Sequence, residues 1–267
     1  MKNKVIIITG ASSGIGKAMA LDAANRGAKV VLAARSEDKL QVVKQNITEQ
    51  GGDAMTIKCD VTNEDDCKRM VDLTLQKYGK IDVLINNAGI SMRAILEEAE
   101  TSVIRDVMEI NFFGTVNCTK HALKPILAQK GSIVGVSSIA GYKGLPGRTG
   151  YSASKFAMQG FLEALRIENM KKELHVLIAC PGFTASNIRN KALGKDGNVQ
   201  GETPRDEQKM MSAEEVAARI LDGIEKRKNT LTMTFNGKMT VLLNKFFPKL
   251  VDKLVYNHMS KEPNSPF

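Results

Sequence analysis

The 267-residue chain has no tryptophan, four cysteines, three histidines and no uninterrupted apolar run approaching a membrane span. A spanning helix needs about 20 apolar residues, so none is expected. Cys59, Cys67, Cys118 and Cys180 show no C-x-x-C spacing, and His121, His175 and His258 do not cluster with them. A zinc site or disulfide framework is therefore not expected, and the thiols read as reduced, buried side chains of a cytoplasmic protein. The basic opening Lys2-Asn3-Lys4 precedes only four apolar residues, Val5 to Ile8, before Thr9-Gly10. That run is too short for a signal-peptide core and suits a buried parallel strand. The formal charge of +9 attracts anions. The basic residues are spread along the chain without an arginine-rich arm or an aromatic ladder, which argues against a nucleic-acid partner.

What is present is a strict alternation. Short β-branched runs at 5–8, 29–33, 54–58, 83–86, 132–137, 175–179 and 230–234 are separated by helical patterns. The helices are expected at 14–26, 37–49, 64–77, 102–128, 152–171 and 213–226, with Gly27, Gly51-Gly52, Gly79 and Gly131 at their ends as left-handed caps. Repeated strand–helix–strand units predict an α/β fold: a doubly wound (Rossmann) parallel sheet of about seven strands with helices on both faces. The strands are continuous apolar runs, as a sheet covered on both faces requires. Residues 1–235 are expected to form one domain, with a polar, glycine-containing loop at about 183–211 of the kind that is a functional flap or disordered.

The first strand–helix junction reads Thr9-Gly10-Ala11-Ser12-Ser13-Gly14-Ile15-Gly16. Glycines there let the backbone turn tightly and approach a pyrophosphate, which rests on the helix N-terminus. The second strand ends at Ala34-Arg35, where an NAD site normally carries an acidic residue. An empty acidic position followed by a guanidinium suits a 2′-phosphate, so NADP(H) is the expected cofactor. Ser12 and Ser13 can add hydroxyl contacts. Asp60-Val61 can meet the adenine, with a helix N-cap as the alternative use of Asp60. Asn86 and Asn87-Ala88-Gly89 end the fourth strand, where ligands sit in open sheets.

Tyr151 and Lys155 are four apart and share a helix face. An ammonium beside a phenol favours the phenolate, so Lys155 is expected to draw Tyr151 from about 10 toward neutral pH. Ser138, thirteen residues upstream, can polarise a carbonyl oxygen. Asn111 is an amide amid apolar residues, suited to kinking a helix and holding a water; by itself it also reads as a satisfied core amide.

These ordered motifs resemble the short-chain dehydrogenase/reductase family over roughly residues 1–235. The resemblance implies a catalytic tetrad of Asn111, Ser138, Tyr151 and Lys155, and a nicotinamide covered by Pro181-Gly182 and the residues after them. Ser186 occupies the position of the family's usual threonine, and Thr184 lies two places earlier; either hydroxyl can meet the carboxamide. The activity implied is hydride transfer between nicotinamide and a ketone, aldehyde or secondary alcohol, in the reductive direction when the cofactor is NADP(H). Ile139, Leu145, Phe183 and Ile188 can line a hydrophobic substrate pocket or serve as ordinary packing. A homo-oligomer, dimer or tetramer, is the expected assembly.

The extension 236–267 is basic and amphipathic. Lys245, Lys249 and Lys253 recur every fourth residue, while Leu243, Phe246, Phe247, Leu250 and Leu254 gather on another face, and Pro248 should divide the segment into two helices. It is expected to dock on the protein's own body or a second subunit, or to lie peripherally on a membrane surface; membrane-associated dehydrogenase/reductases carry loosely similar tails. Competing readings are an NADP-sensing protein without turnover, which leaves the Tyr–Lys pair without a use, and a membrane-surface scaffold, which the tail alone carries.

Overall fold

The computed structural model describes residues 1–185, 188–201 and 210–267. Seven strands run in chain order: β1 (Val5–Thr9), β2 (Lys29–Ala34), β3 (Asp53–Lys58), β4 (Val83–Asn86), β5 (Ser132–Val136), β6 (His175–Cys180) and β7 (Thr230–Thr232). They form one parallel sheet in the order β3-β2-β1-β4-β5-β6-β7. The direction of winding reverses between β1 and β4, and an open sheet of this kind has its ligand crevice outside the strand ends at that point.

The helices are α1 (Gly14–Asn25), α2 (Glu37–Glu49), α3 (Glu64–Tyr78), α4 (Thr101–Met108), α5 (Gly114–Ala128), α6 (Thr149–Glu168), α7 (Ala213–Glu225), α8 (Phe235–Phe246) and α9 (Pro248–Met259). Alternate side chains of each strand feed two cores. Ile6, Ile8, Val30 and Leu32 pack with α1, α2 and α7 on one face. Val5, Ile7, Val31 and Ile133 pack with α3, α5 and α6 on the other.

Several element ends differ from expectation. The helix expected over 102–128 is interrupted by a π-helical turn, Glu109–Phe113, with Asn111 fully buried inside it. The last strand stops at Thr232 because Thr234 caps α8, accepting from Gly237 N at 3.0 Å. Gly27, Gly51 and Gly79 are left-handed, but after α5 that conformation falls on Lys130. Gly131 is needed for space: a Cβ there would stand 2.3 Å from Asp82 O. Helix α6 starts earlier than expected, at Thr149, and ends at Glu168, where Asn169 Nδ2 turns back to Leu165 O at 3.0 Å.

Pro248 opens α9 as its first residue, dividing the extension as expected. The expected docking of its apolar stripe on the protein's own body is not what the chain does. Phe246, Phe247, Leu250 and Leu254 are all exposed, and of the stripe only Leu243 is half-buried. The hairpin is held instead by buried Gly237, Val251 and Met259, and by polar contacts. Lys143 Nζ donates to Asn244 Oδ1 at 2.9 Å and to Asp252, and Asn244 Nδ2 donates to Tyr142 O at 3.3 Å. Periodicity predicted the helices; it carries no information about which face a polar anchor turns inward.

Candidate active site

A groove of about 230 Å³ opens at the β1/β4 switch point. It is lined by Gly10, Ser12, Ser13, Gly14, Ile15, Gly16, Arg35, Asp60, Val61, Asn87, Ala88 and Gly89, together with Ile188 and Lys191 from the loop after β6. Gly10 (φ 65°) and Gly14 (φ 53°) take left-handed conformations that shape the turn. Gly16 permits close approach: a Cβ there would meet Gly10 O at 2.3 Å. The turn is tied to β4 by Thr9, whose Oγ1 accepts from Asn87 N at 3.0 Å and Ala88 N at 3.1 Å, while Asn87 Nδ2 donates to Thr9 O at 2.9 Å.

Helix α1 begins at this groove with no side-chain cap from Ser13 and no acidic residue in its first turn. By contrast, α3 is capped by Asn63 and carries Glu64, Asp65 and Asp66 in its first turn. An uncapped helix N-terminus beside a glycine turn fits a pyrophosphate, whose oxygens accept from the free amides. Asn63 also removes the alternative role of Asp60 as N-cap. Asp60 Oδ1 instead accepts from Thr62 N at 3.1 Å and Thr62 Oγ1 at 2.9 Å, with its side chain at the groove. Arg35 is exposed at the rim.

The residues expected to carry acid–base chemistry meet beside this groove. A Cβ on Gly89 would lie 3.0 Å from Asn111 Oδ1 and 3.6 Å from Lys155 Nζ, so Gly89 is where the two halves meet. Asn111 is held in the π-helical turn by three bonds: Oδ1 accepts from Ile90 N at 2.8 Å, and Nδ2 donates to Ile90 O at 3.0 Å and to Ser154 Oγ at 2.9 Å. Lys155 is buried, its Nζ donating to Val136 O at 2.9 Å and lying 5.8 Å from the centre of the Tyr151 ring. Ser138 Oγ accepts from Ala140 N at 3.1 Å. The neighbouring Ser137 is turned into the core, accepting from Gln159 Nε2 at 2.8 Å, which separates the two serines by environment.

The electrostatics correct one expectation. Burial pushes the Tyr151 phenol above its ordinary value, and a hydrogen bond with Ser138 and the charge of Arg148 pull it back only in part. The dry surroundings penalise the phenolate. Burial likewise pushes the Lys155 ammonium down, to about 8. Desolvation acts on both members of the pair and outweighs the attraction expected between them.

Pro181, Gly182 and Thr184 stand just past β6 and do not line the nucleotide groove. Gly182 packs on Thr234, where a Cβ would meet Thr234 Cγ2 at 2.7 Å, and Thr184 Oγ1 donates to Gly182 O at 3.1 Å. Ser186 lies outside the described residues. Sequence reading named Thr9 only as the start of the glycine turn, without its bonds to β4, and missed Ser154, Gln159 and Lys191. Thr9, Ser154 and Gln159 are ordinary polar residues whose bonding partners are distant in sequence; Lys191 lies in a loop without periodicity. Among the described residues no cluster of three His, Cys, Asp or Glu could hold a metal.

The sequence profile of the family described as short chain dehydrogenase matches residues 4–196. The chain is 37% identical over 268 residues to the dehydrogenase/reductase SDR family protein 7-like of Dictyostelium discoideum, covering 97% of this chain and 83% of that one. It is 34% identical to the rat dehydrogenase/reductase SDR family member 7B, covering 99% and 84%. A short chain dehydrogenase/reductase from Burkholderia phymatum, solved in complex with NAD, superposes with a TM-score of 0.83 at 25% identity, covering 93% of this chain and 95% of that one. An alcohol dehydrogenase from Thermococcus sibiricus, complexed with 5-hydroxy-NADP, shares the fold with a TM-score of 0.75 at 24% identity, covering 86% and 94%. The protein belongs to the short-chain dehydrogenase/reductase family, a family of oxidoreductases that bind a nicotinamide dinucleotide.

Proposed function

We propose that the protein is an NADP(H)-dependent oxidoreductase that interconverts a ketone or aldehyde and the corresponding alcohol, running in the reductive direction. The observation that carries this reading is the meeting at Gly89 of the groove that the glycine turn lines with Asn111 and Lys155. The preference for NADP(H) rests on Ala34 and Arg35, since structural neighbours carry NAD in one case and an NADP derivative in the other. Arg35, Ser12 and Ser13 would meet the 2′-phosphate, Asp60 and Val61 the adenine, and the Gly10–Gly16 turn the pyrophosphate. Thr184 or Ser186, beyond Pro181-Gly182, would meet the carboxamide.

The bound nicotinamide supplies the hydride. Ser138 donates to the substrate oxygen, and Tyr151 gives or takes the proton at that atom. Lys155 holds the nicotinamide ribose. Both amide hydrogens of Asn111 are committed to Ile90 and Ser154, so a water linking Lys155 to solvent would be held by an Asn111 oxygen. A hydrophobic alcohol or ketone is the favoured substrate class; relatives in Pinus massoniana and Arachis hypogaea are named 11-beta-hydroxysteroid dehydrogenases. Residues 1–235 are the catalytic domain in this reading, and 236–267 an extension that touches an anionic membrane surface. Among the described residues no helix is long and apolar enough to cross a membrane. A non-catalytic NADP sensor would have no use for the tetrad. A cytoplasmic homo-oligomer completes the proposal.

The test is oxidation of NADPH against a panel of hydrophobic carbonyls, followed by absorbance. Tyr151→Phe is expected to bind NADPH normally and lose about 10²–10⁴-fold in turnover. Turnover by the Phe variant close to that of the parent would remove the assignment.

A further inference from the structure

The last eight residues return to the catalytic helix. Glu262 is buried and its Oε2 accepts from Arg148 Nη2 at 2.8 Å, across 114 positions of sequence. Arg148 is buried too, and it immediately precedes Thr149, the first residue of α6; its carbonyl accepts from Ser152 N at 2.8 Å. The same Glu262 oxygen lies 3.7 Å from Arg93 Nε, and Arg93 Nη2 donates to Pro263 O at 2.6 Å. Arg93 in turn anchors the loop after β6: its N–H donates to Leu193 O at 2.9 Å, and its carbonyl accepts from Gln200 Nε2 at 2.9 Å. Behind Arg148, the left-handed Gly147 (φ 69°) leaves room for the chain end. A Cβ there would stand 3.3 Å from Pro266 and 3.4 Å from Phe267.

One carboxylate from the chain's end thus joins two arginines: one on the segment that carries the substrate loop, one at the root of the helix that carries Tyr151 and Lys155. We propose that residues 260–267 form a strap whose Glu262 fixes the place and the effective charge of Arg148, making Glu262 and Arg148 positioning residues for the Tyr151 chemistry. The inference rests on the reading of Tyr151 as the acid–base residue.

The groups facing Tyr151 are Ser138 from the end of β5, Lys155 and Arg148 from α6 and its root, and Cys180 from the end of β6. Arg148 acts to favour the phenolate. A salt-bridged carboxylate offsets part of that field, and an unpaired arginine exerts all of it. The two halves of the bridge therefore have opposite signs at Tyr151. Removing the carboxylate lowers the tyrosine's pKa, and removing the guanidinium raises it. A strap that serves only stability has no such sign.

The experiment uses the full chain and follows carbonyl reduction against pH for the parent, Glu262→Gln, Arg148→Gln and Tyr151→Phe. The apparent pKa of the tyrosine limb is expected to move down by at least half a unit in Glu262→Gln and up by at least as much in Arg148→Gln. The kcat at pH 7 should fall fivefold or more in both. NADPH affinity should stay within about threefold of the parent, because neither residue lines the nucleotide groove. Glu262→Asp, which keeps the charge, should restore the parent profile even where thermal stability has dropped. Limbs that coincide with the parent's, or that move in the same direction in both variants, would overturn the strap's role in catalysis. Tyr151→Phe distinguishes a different failure, since turnover retained there removes the acid–base reading itself.

Discussion

In the proposed reading, Arg35 carries the choice of cofactor on one side chain. It sits at the rim of the groove with Ala34, Ser36, Ser12 and Ser13, and among the described residues no carboxylate lines that end except Asp60, which is tied to Thr62. A guanidinium there gains a charge-assisted hydrogen bond with a 2′-phosphate and has nothing equivalent to offer a free ribose hydroxyl. Such a bond is worth about 1.5–3 kcal/mol, or roughly 10- to 150-fold in affinity. Arg35→Ala is therefore expected to weaken NADPH by that factor while leaving NADH within about threefold, as measured by calorimetric titration of each. Equal affinities of the unaltered protein for both cofactors would show that Arg35 is a solvated surface residue.

At the scale of elements, Asp82 pins the starts of the central strands. Its Oδ2 accepts from Val5 N at 2.9 Å, its carboxylate meets Lys4 at 2.8 Å and Lys80 at 2.9 Å, and its carbonyl accepts from Ser132 N at 2.9 Å. Burial acts to raise its pKa, but the two lysines and the Val5 amide outweigh burial and hold it below the usual carboxylate value. A depressed folded-state pKa means that the unfolded chain binds more protons, so this contribution is present above the unfolded value of 3.8 and is lost as pH falls through the folded one. Asp82→Ala leaves the Val5 amide unpaired and should cost about 1–3 kcal/mol at pH 7 in urea denaturation. The difference from the parent should narrow below pH 4; a constant difference would assign the effect to packing. Elements of this kind were largely legible in the sequence, because buried parallel strands such as Val5–Thr9 are unbroken β-branched runs and the ligand-binding motifs stand at their ends. At Asn111 the break in the helix was legible, as an amide amid apolar residues suited to a kink, but its π-helical form was not, since one extra residue in a helical turn leaves no mark in composition. The Glu262–Arg148 bridge was not, since nothing local couples residues so far apart. Tyr151 and Lys155 were readable as a pair, but the pair's desolvation depends on what encloses it, and four-residue spacing does not report that.

For the whole molecule, the proposed membrane contact falls on the outward face of the α8–α9 hairpin. Phe235, Leu242, Phe246, Phe247, Leu250 and Leu254 are each at least half exposed, and Lys238, Lys245, Lys249 and Lys253 are exposed among them. The inward contacts through Lys143, Asn244 and Val251 fix the hairpin, so this face remains outward. An apolar surface set among lysines matches an anionic bilayer, where each large side chain gains about 1.5–3 kcal/mol on burial and each lysine about 1 kcal/mol near the surface. A second copy of the chain is a poorer match, because a two-fold contact would bring the same lysines against each other. Co-sedimentation with vesicles containing a quarter phosphatidylserine should therefore capture the protein at low salt and release most of it at 0.5 M salt. Phe246→Ser/Leu250→Ser should abolish capture at any salt, and Lys245→Glu/Lys249→Glu should abolish it at low salt, both without loss of NADPH binding. If the face is instead covered by a second copy, vesicles will capture nothing, and the Phe246→Ser/Leu250→Ser protein will change from dimer to monomer in sedimentation velocity. That pair of results would overturn the membrane assignment and make the hairpin the subunit interface.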